Sequence, residues 1–407
     1  MEEHIVILYI AILVLTYGYI SKVLNRFNIS GPMVFTSLGL LISPLLLNLS
    51  TLKVDAAFVT IIVELALVLV LFSDAALLDM KLLRQSWKLP ARLLLLGLPI
   101  TIVLGTLTAQ FIFPNEPAIY MLLLALLLTP TDAALGKAVV SDSSVPPKIR
   151  STINVESGLN DGIIFPILIT VLAIIVSGMS DDGESGWLSY VFEQVIFGAL
   201  VGAFVGFVGA KLSQLSSKYH WVEHCYQNLI PIALAVVAFY LAEVFNGNGF
   251  IAAFFAGLYA GNTSQPMREH IEDFAESEGE LLVLISFFLF GLAFVPVTYP
   301  YINLDVIIYS LLSLTLLRMV PVIICLLGAK LDGKKIDFST MAFIAWFGPR
   351  GIASILYVLI IAHKIGGIDG FETVYAVVTV TVLMSIVAHG LSAQPLANWY
   401  SKKHTEK

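Results

Sequence analysis

Apolar stretches of about twenty residues recur from one end of this chain to the other, each long enough to cross a hydrocarbon core as a helix. Inside a bilayer no water takes up backbone polar groups, so such a chain must fold as helices that satisfy their own peptide bonds. Composition agrees. Of 407 residues, 58% are hydrophobic and 13% charged, against about a quarter charged in soluble domains. The fold class is therefore an all-α polytopic membrane protein, with the lipid bilayer as its first partner. The net charge of −7 decides little, because the charges of such a chain are read loop by loop. Cys225 and Cys325 stand far apart with no CxxC, so neither a disulfide framework nor a metal knuckle is indicated. Met1-Glu2-Glu3-His4 lacks a basic region and no small-residue cleavage site follows, which predicts a retained first span. Only a short cytoplasmic tail, 401–407, is expected after the last span. No cofactor, nucleotide or nucleic acid is expected to bind.

About thirteen spans can be drawn, near 4–21, 31–49, 56–78, 91–113, 117–139, 150–177, 187–212, 226–245, 249–263, 279–297, 303–328, 338–362 and 372–395. The ninth is short and begins at an Asn246-Gly247-Asn248-Gly249 turn. Loop charge tests the drawing, since Lys and Arg favour the cytoplasmic side. With the N-terminus outside, only Lys53 and Lys364 of the 22 basic residues fall outside, and Arg318 and Arg350 lie within spans. The rest, from Lys22 and Arg26 through Lys137 to Lys403 and Lys407, fall inside or near it. The acidic loop Ser180-Asp181-Asp182-Gly183-Glu184 lands outside. A wrong span count would scramble this asymmetry.

Two spans carry helix breakers: the fifth at Thr129-Pro130-Thr131-Asp132 and the twelfth at Gly348-Pro349-Arg350-Gly351. They are seven spans apart, and an odd offset reverses direction across the membrane. Paired interruptions in oppositely oriented halves mark inverted-repeat secondary transporters. The expected organisation is one transmembrane domain over 1–400. It comprises inverted six-helix repeats, about 1–177 and 226–400, joined by a linker helix at 187–212, with two crossing discontinuous helices.

Ionisable groups within spans are costly, roughly 2.5–3.5 kcal/mol each on insertion scales, and face a bundle interior or water. The informative cluster is Thr131-Asp132 on span 5 and Glu156-Ser157-Gly158-Leu159-Asn160-Asp161 on span 6. On a helix Ser157 and Asp161 share a face, and Glu156 and Asn160 share the adjacent one. Pro130 frees carbonyls that are tolerated at membrane depth only where something polar uses them. Hard oxygen ligands beside a carboxylate suit dehydrated Na⁺ or Li⁺, and a buried carboxylate holds its proton to higher pH. One oxygen site holding a proton or a cation, but not both, is sufficient for exchanging them. Structural ion pairing is the competing use of these acids, and Glu156 with Arg318 is the expected pair. Losing either partner would strand a buried charge.

Six blocks then occur in order: TDAALG (131–136), VPPKIR (145–150), NVESGLNDG (154–162), GFIAAF (249–254), GPRG (348–351) and HGLSAQP (389–395). Together, from about span 3 to the C-terminus, they resemble the NhaP-type sodium/proton antiporters of the first monovalent cation/proton antiporter family. The resemblance implies a mobile core bundle and an interface bundle of six helices each, a homodimer, and elevator-like alternating access in the plasma membrane. It implies that Asp161 is the carboxylate for cation and proton, with Asn160 its partner. Asp132, the Thr131 backbone and Ser157 would complete the Na⁺ shell. Asp74, after Ser73, resembles an acidic position near the site in some members, and Arg350 is adjacent to the site. Electrogenic relatives carry Asp where this chain has Asn160, which implies electroneutral one-for-one exchange.

Glu64 and Glu243 read as packing or pathway residues. The acidic stretch from Arg268 through Glu280 reads as a solvated helix face, or else as a cation-attracting funnel or pH sensor. His389, near the inner end of the last span, reads as a satisfied packing histidine, with a proton relay as the alternative. Gly198, Gly202 and Gly206 form a doubled GxxxG ridge that permits close packing within the protomer or at a dimer interface. An intramembrane aspartyl protease would also use two Asp residues on neighbouring spans, but Thr131-Asp132 and Asn160-Asp161 do not match its contexts and no HExxH occurs. K⁺/H⁺ exchange is the closest alternative, and a cation channel a more distant one.

Overall fold

The computed structural model describes residues 2–52, 57–78, 80, 87–132, 135, 145–178, 187–331, 334–365, 367 and 369–405. Lys53, Lys81, Arg84, Lys137, the 180–184 loop and most of the second half of the fifth expected span lie outside the described residues. The described chain is nearly all helical. In order the helices are α1 Glu2–Arg26, α2 Gly31–Ile42, α3 Ala57–Leu77, α4 Lys88–Ile112, α5 Ala118–Leu127, α6 Pro147–Gly178 and α7 Trp187–Lys218. There follow α8 Leu229–Val244, α9 Gly249–Thr263, α10 Gln265–Tyr301, α11 Leu304–Leu326, α12 Phe338–Trp346, α13 Ile352–Ile365 and α14 Glu372–Thr405. A two-residue antiparallel ribbon pairs Lys330 with Lys335 and Leu331 with Lys334.

Eight of these helices are long and apolar enough to cross a membrane, and four shorter ones are apolar. Helix length alone therefore does not return the count of thirteen. The expected twelfth span is two helices, α12 and α13, and the fifth is described as helix only to Leu127. The expected 401–407 tail is helical as far as Thr405, and the acidic stretch 268–280 is the helical start of α10.

Local chemistry sets several boundaries. Asn248, Asn303 and Asp337 each turn a side-chain oxygen onto a backbone N–H two or three residues on, capping α9, α11 and α12. These bonds satisfy donors that a helix leaves free at its start. Glu243, on α8, accepts from Gly249 N at 2.9 Å, so this intramembrane carboxylate also caps α9.

The chain forms two compact units: Met1–Val63, Lys88–Asn160 and Val283–Lys407 in the first, Glu64–Trp87 and Asp161–Leu282 in the second. Each draws on both expected repeats. The first holds an apolar core in which Leu93, Ile149, Val322, Ile344 and Phe347 pack together, joining α4, α6, α11 and α12. In the second, α7 and α9 pack through glycine. A Cβ added at Gly198, Gly202 or Gly206 would collide with the backbone of Asn248, Ala252 and Ala256 respectively. The doubled GxxxG ridge is thus a seam within the protomer. Arg268 closes the other end of this unit by donating to Leu77 O at 2.7 Å, at the C-terminus of α3, while Glu269, Glu272 and Asp273 face outward.

Candidate functional site

The first break begins where Pro130 removes a donor and biases Thr129 away from helix. Thr129 Oγ1 turns back onto Ala125 O at 2.6 Å. Buried carbonyls around this point need partners, and four of them find one from a side chain. Leu127 O accepts from Ser354 Oγ at 2.7 Å. Thr129 O and Pro130 O accept from the Arg350 guanidinium at 2.9 and 3.3 Å. Thr131 O accepts from Ser157 Oγ at 2.5 Å.

The second break, Phe347 to Gly351 between α12 and α13, lies across the first. Asp132 N donates to Pro349 O at 2.8 Å, and Ile352 N donates to Asp132 Oδ2 at 2.8 Å. Each charge sits at the helix end that favours it: Asp132 at the N-terminus of α13, and Arg350, fully buried, at the C-terminus of α5, as the helix dipole requires. Glycine makes room for a charged side chain at two points here. A Cβ on Gly351 would collide with the Asp132 carboxylate, and one on Gly348 with the Arg318 guanidinium.

Of the residues singled out from sequence, Thr131, Ser157 and Asn160 come together directly. Asn160 Nδ2 donates to Thr131 Oγ1 at 2.7 Å, while its buried Oδ1 receives no hydrogen bond. An unsatisfied buried acceptor costs about 1–3 kcal/mol, a cost that a dehydrated cation would remove. Glu156 is held apart from this group: Arg318 grips it with NH1 to Oε1 at 2.5 Å and NH2 to Oε2 at 2.9 Å. The pair is buried and bidentate, the geometry that best offsets desolvation.

Asp161, next after Asn160 on α6, belongs to the second unit and is also buried. There it borders a cavity of about 10 Å³ walled by Leu71, Phe250, Phe254 and Phe255, close to the smallest space that holds one water. Gly162 keeps this wall closed, since a Cβ there would strike the Phe254 ring. Asp74 lies half-buried on α3 in the same unit, and Ser73 before it is buried. A larger cavity of about 110 Å³, lined by Ser213, His220, Gln227 and His270 among others, contains none of the expected site residues.

Sequence reasoning does not find Ser354 or Ser385, which serve the breaks through Leu127 O and Arg350 N. Hydroxyls are common in helices, and the one available signal is Ser385 spaced four residues from His389 in an apolar run.

Two crossing helix breaks lined with buried charge, in a chain of apolar helices, are the arrangement of a secondary transporter. The chain belongs to the sodium/hydrogen exchanger family, whose transmembrane model matches residues 10–399. It is 24% identical over 338 residues to the K(+)/H(+) antiporter NhaP of Alkalimonas amylolytica, a match covering 83% of this chain and 56% of that protein. It is 27% identical over 341 residues to the Na(+)/H(+) antiporter NhaP of Pseudomonas aeruginosa, covering 80% and 78%. The chain thus spans little more than half the length of the first of these relatives. The fold matches that of the sodium proton antiporter MjNhaP1 from Methanocaldococcus jannaschii with a TM-score of 0.77 at 19% identity, over 98% of this chain and 99% of that one.

Proposed function

We propose that this protein exchanges Na⁺, or Li⁺, for H⁺ across the membrane, the two competing for Asp161 in turn from either side. The observation that carries the reading is the buried oxygen group at the crossing breaks: the Thr131 carbonyl and hydroxyl, Ser157 and the unsatisfied Asn160 Oδ1, with Asp161 next on α6. Oxygen donors of this hardness suit an alkali cation. Asp132, which also accepts from Ile352 N, belongs to the same proposed shell. Asp74 and Arg350 tune the site from nearby, and Glu156 with Arg318 supports it structurally. No cofactor takes part and no bond is made or broken, so the protein acts as a carrier and not as an enzyme.

Exchange is one-for-one and electroneutral, because Asn160 stands where a second titrating acid would be needed. The same proposal includes a homodimer of the plasma membrane that maintains internal pH, with the N-terminus outside, the C-terminus cytoplasmic, and repeats 1–177 and 226–400 about the linker helix. Its support is the Lys and Arg asymmetry and the family resemblance. K⁺ in place of Na⁺ is favoured by the Alkalimonas relative and by the K(+)/H(+) antiporters NhaP2 of two Shewanella strains.

Proteoliposomes carrying a pH dye and given Na⁺, Li⁺ and K⁺ in turn test the reading. Dye recovery with Na⁺ or Li⁺ is the expected result. Recovery with K⁺ alone transfers the proposal to that ion, and no response to any cation refutes it. A voltage dye under a Na⁺ gradient is expected to stay silent, and a robust potential would overturn the stoichiometry.

A further inference from the structure

The second break is held at both edges by one helix. α14 presents Ser385 and His389, a turn apart and both buried. Ser385 Oγ accepts from Arg350 N at 2.8 Å. His389 Nε2 lies 3.1 Å from Trp346 O, while Nδ1 lies 3.2 Å from Ser385 Oγ and 3.1 Å from Ser385 O. In the tautomer that carries its hydrogen on Nε2, the Trp346 carbonyl accepts it. Nδ1 is then an acceptor, and of its two neighbours only the Ser385 hydroxyl has a hydrogen to give. In that tautomer the bonds form a directed chain: Arg350 N–H to Ser385 Oγ–H, to His389 Nδ1, and from His389 Nε2–H to Trp346 O.

Trp346 is the last residue of α12, and Arg350 is the last but one of the break before α13 starts at Ile352. The imidazole and the hydroxyl thus staple together the two ends of the non-helical segment. The indole of Trp346, its ring centre 5.0 Å from the imidazole, is itself anchored on Ser392 at 3.0 Å. The stapled segment carries the Pro349 carbonyl and the Arg350 guanidinium, which hold Asp132, Thr129 and Pro130. A shift of His389 would therefore reach Thr131 without any contact between them.

We propose that His389, acting with Ser385, is a positioning residue for the cation site: it fixes the shape of the 347–351 break and through it the oxygens at 129–132. This rests on the exchange reading above. Residues that orient metal ligands from one shell out typically cost 10–100-fold in affinity when lost.

The test titrates Na⁺ in proteoliposomes bearing wild type, His389→Phe, His389→Gln or Ser385→Ala. His389→Phe and Ser385→Ala are expected to raise the half-saturating Na⁺ about tenfold, with the maximal rate nearly unchanged. His389→Gln, whose amide N–H can reach the Trp346 carbonyl, is expected to recover most of the affinity. Loss of rate or of folded protein with the half-saturating Na⁺ unchanged would mean mere packing and overturn the proposal. Should His389→Phe not fold, Ser385→Ala, which removes one hydroxyl, decides. Amide hydrogen exchange over 347–352 gives a readout independent of transport: it is expected to speed up in His389→Phe and Ser385→Ala but not in His389→Gln. Unchanged exchange in both overturns the staple, even if wild type transports no cation and the functional reading has failed.

Discussion

The α7–α9 seam and the crossing breaks both use glycine at membrane depth, and to opposite ends. At the seam, Gly198, Gly202 and Gly206 let two intact helices touch backbone to backbone, with a backbone hydrogen bond crossing where Asn248 N donates to Gln194 O at 2.9 Å. At the breaks, Gly348 and Gly351 make room for the Arg318 guanidinium and the Asp132 carboxylate, and the freed peptide groups bond across from one segment to the other. Spacing separates the two uses. Glycines four apart in an apolar run line one helix face, whereas glycines three apart around Pro349-Arg350 stop a helix and surround a charge. The first arrangement builds the protein; the second is where its chemistry is placed.

Substitutions therefore sort by what they destroy. Gly202→Leu has the largest effect expected: overlap with the Ala252 backbone cannot relax through a side chain, so little folded protein is recovered by size-exclusion chromatography, and transport goes with it. A well-folded Gly202→Leu protein would collapse the comparison. Asp161→Asn comes next and does the reverse, with exchange in the dye assay falling to that of empty vesicles and thermal stability unchanged. Full exchange would move the ion elsewhere. Arg318→Gln sits between the regions in kind, since it strands the Glu156 carboxylate. It is expected to cost about 3–5 kcal/mol of stability, read as a lowered unfolding temperature, and Glu156→Gln on that background should restore part of the loss. Ser157→Ala is the mildest. It leaves the Thr131 carbonyl without its donor, a loss of about 1–3 kcal/mol, seen as a several-fold change in half-saturating Na⁺ with the fold intact.

The breaks were legible in the sequence because their chemistry is local. Pro130 and Pro349 cannot donate, Arg350 and Asp132 cannot sit in lipid alone, and both facts are written in the residues. The Glu156–Arg318 pairing follows the same logic of buried charge seeking its opposite. Gly249 as the start of a short helix was readable from its Asn-Gly turn. What sequence left open was partnership across space. It offered two surfaces for the glycine ridge and could not name Asn248, Ala252 and Ala256, because a face without side chains carries no mark of its partner. Nor did it show that Glu243 would cap Gly249, or that one oxygen of Asp132 would cap α13. A carboxylate's duty depends on which helix end arrives beside it, and that is settled by packing. The acidic start of α10 was readable as a solvated face, but Arg268 reaching back to Leu77 was not.

The seam has a mechanical consequence. Two helices in backbone contact have no rotamers between them to repack, and close-packed interiors transmit strain rather than absorb it. α7 and α9 therefore behave as one stiff beam, and any flexing of their unit during a transport cycle must be taken up by its other helices.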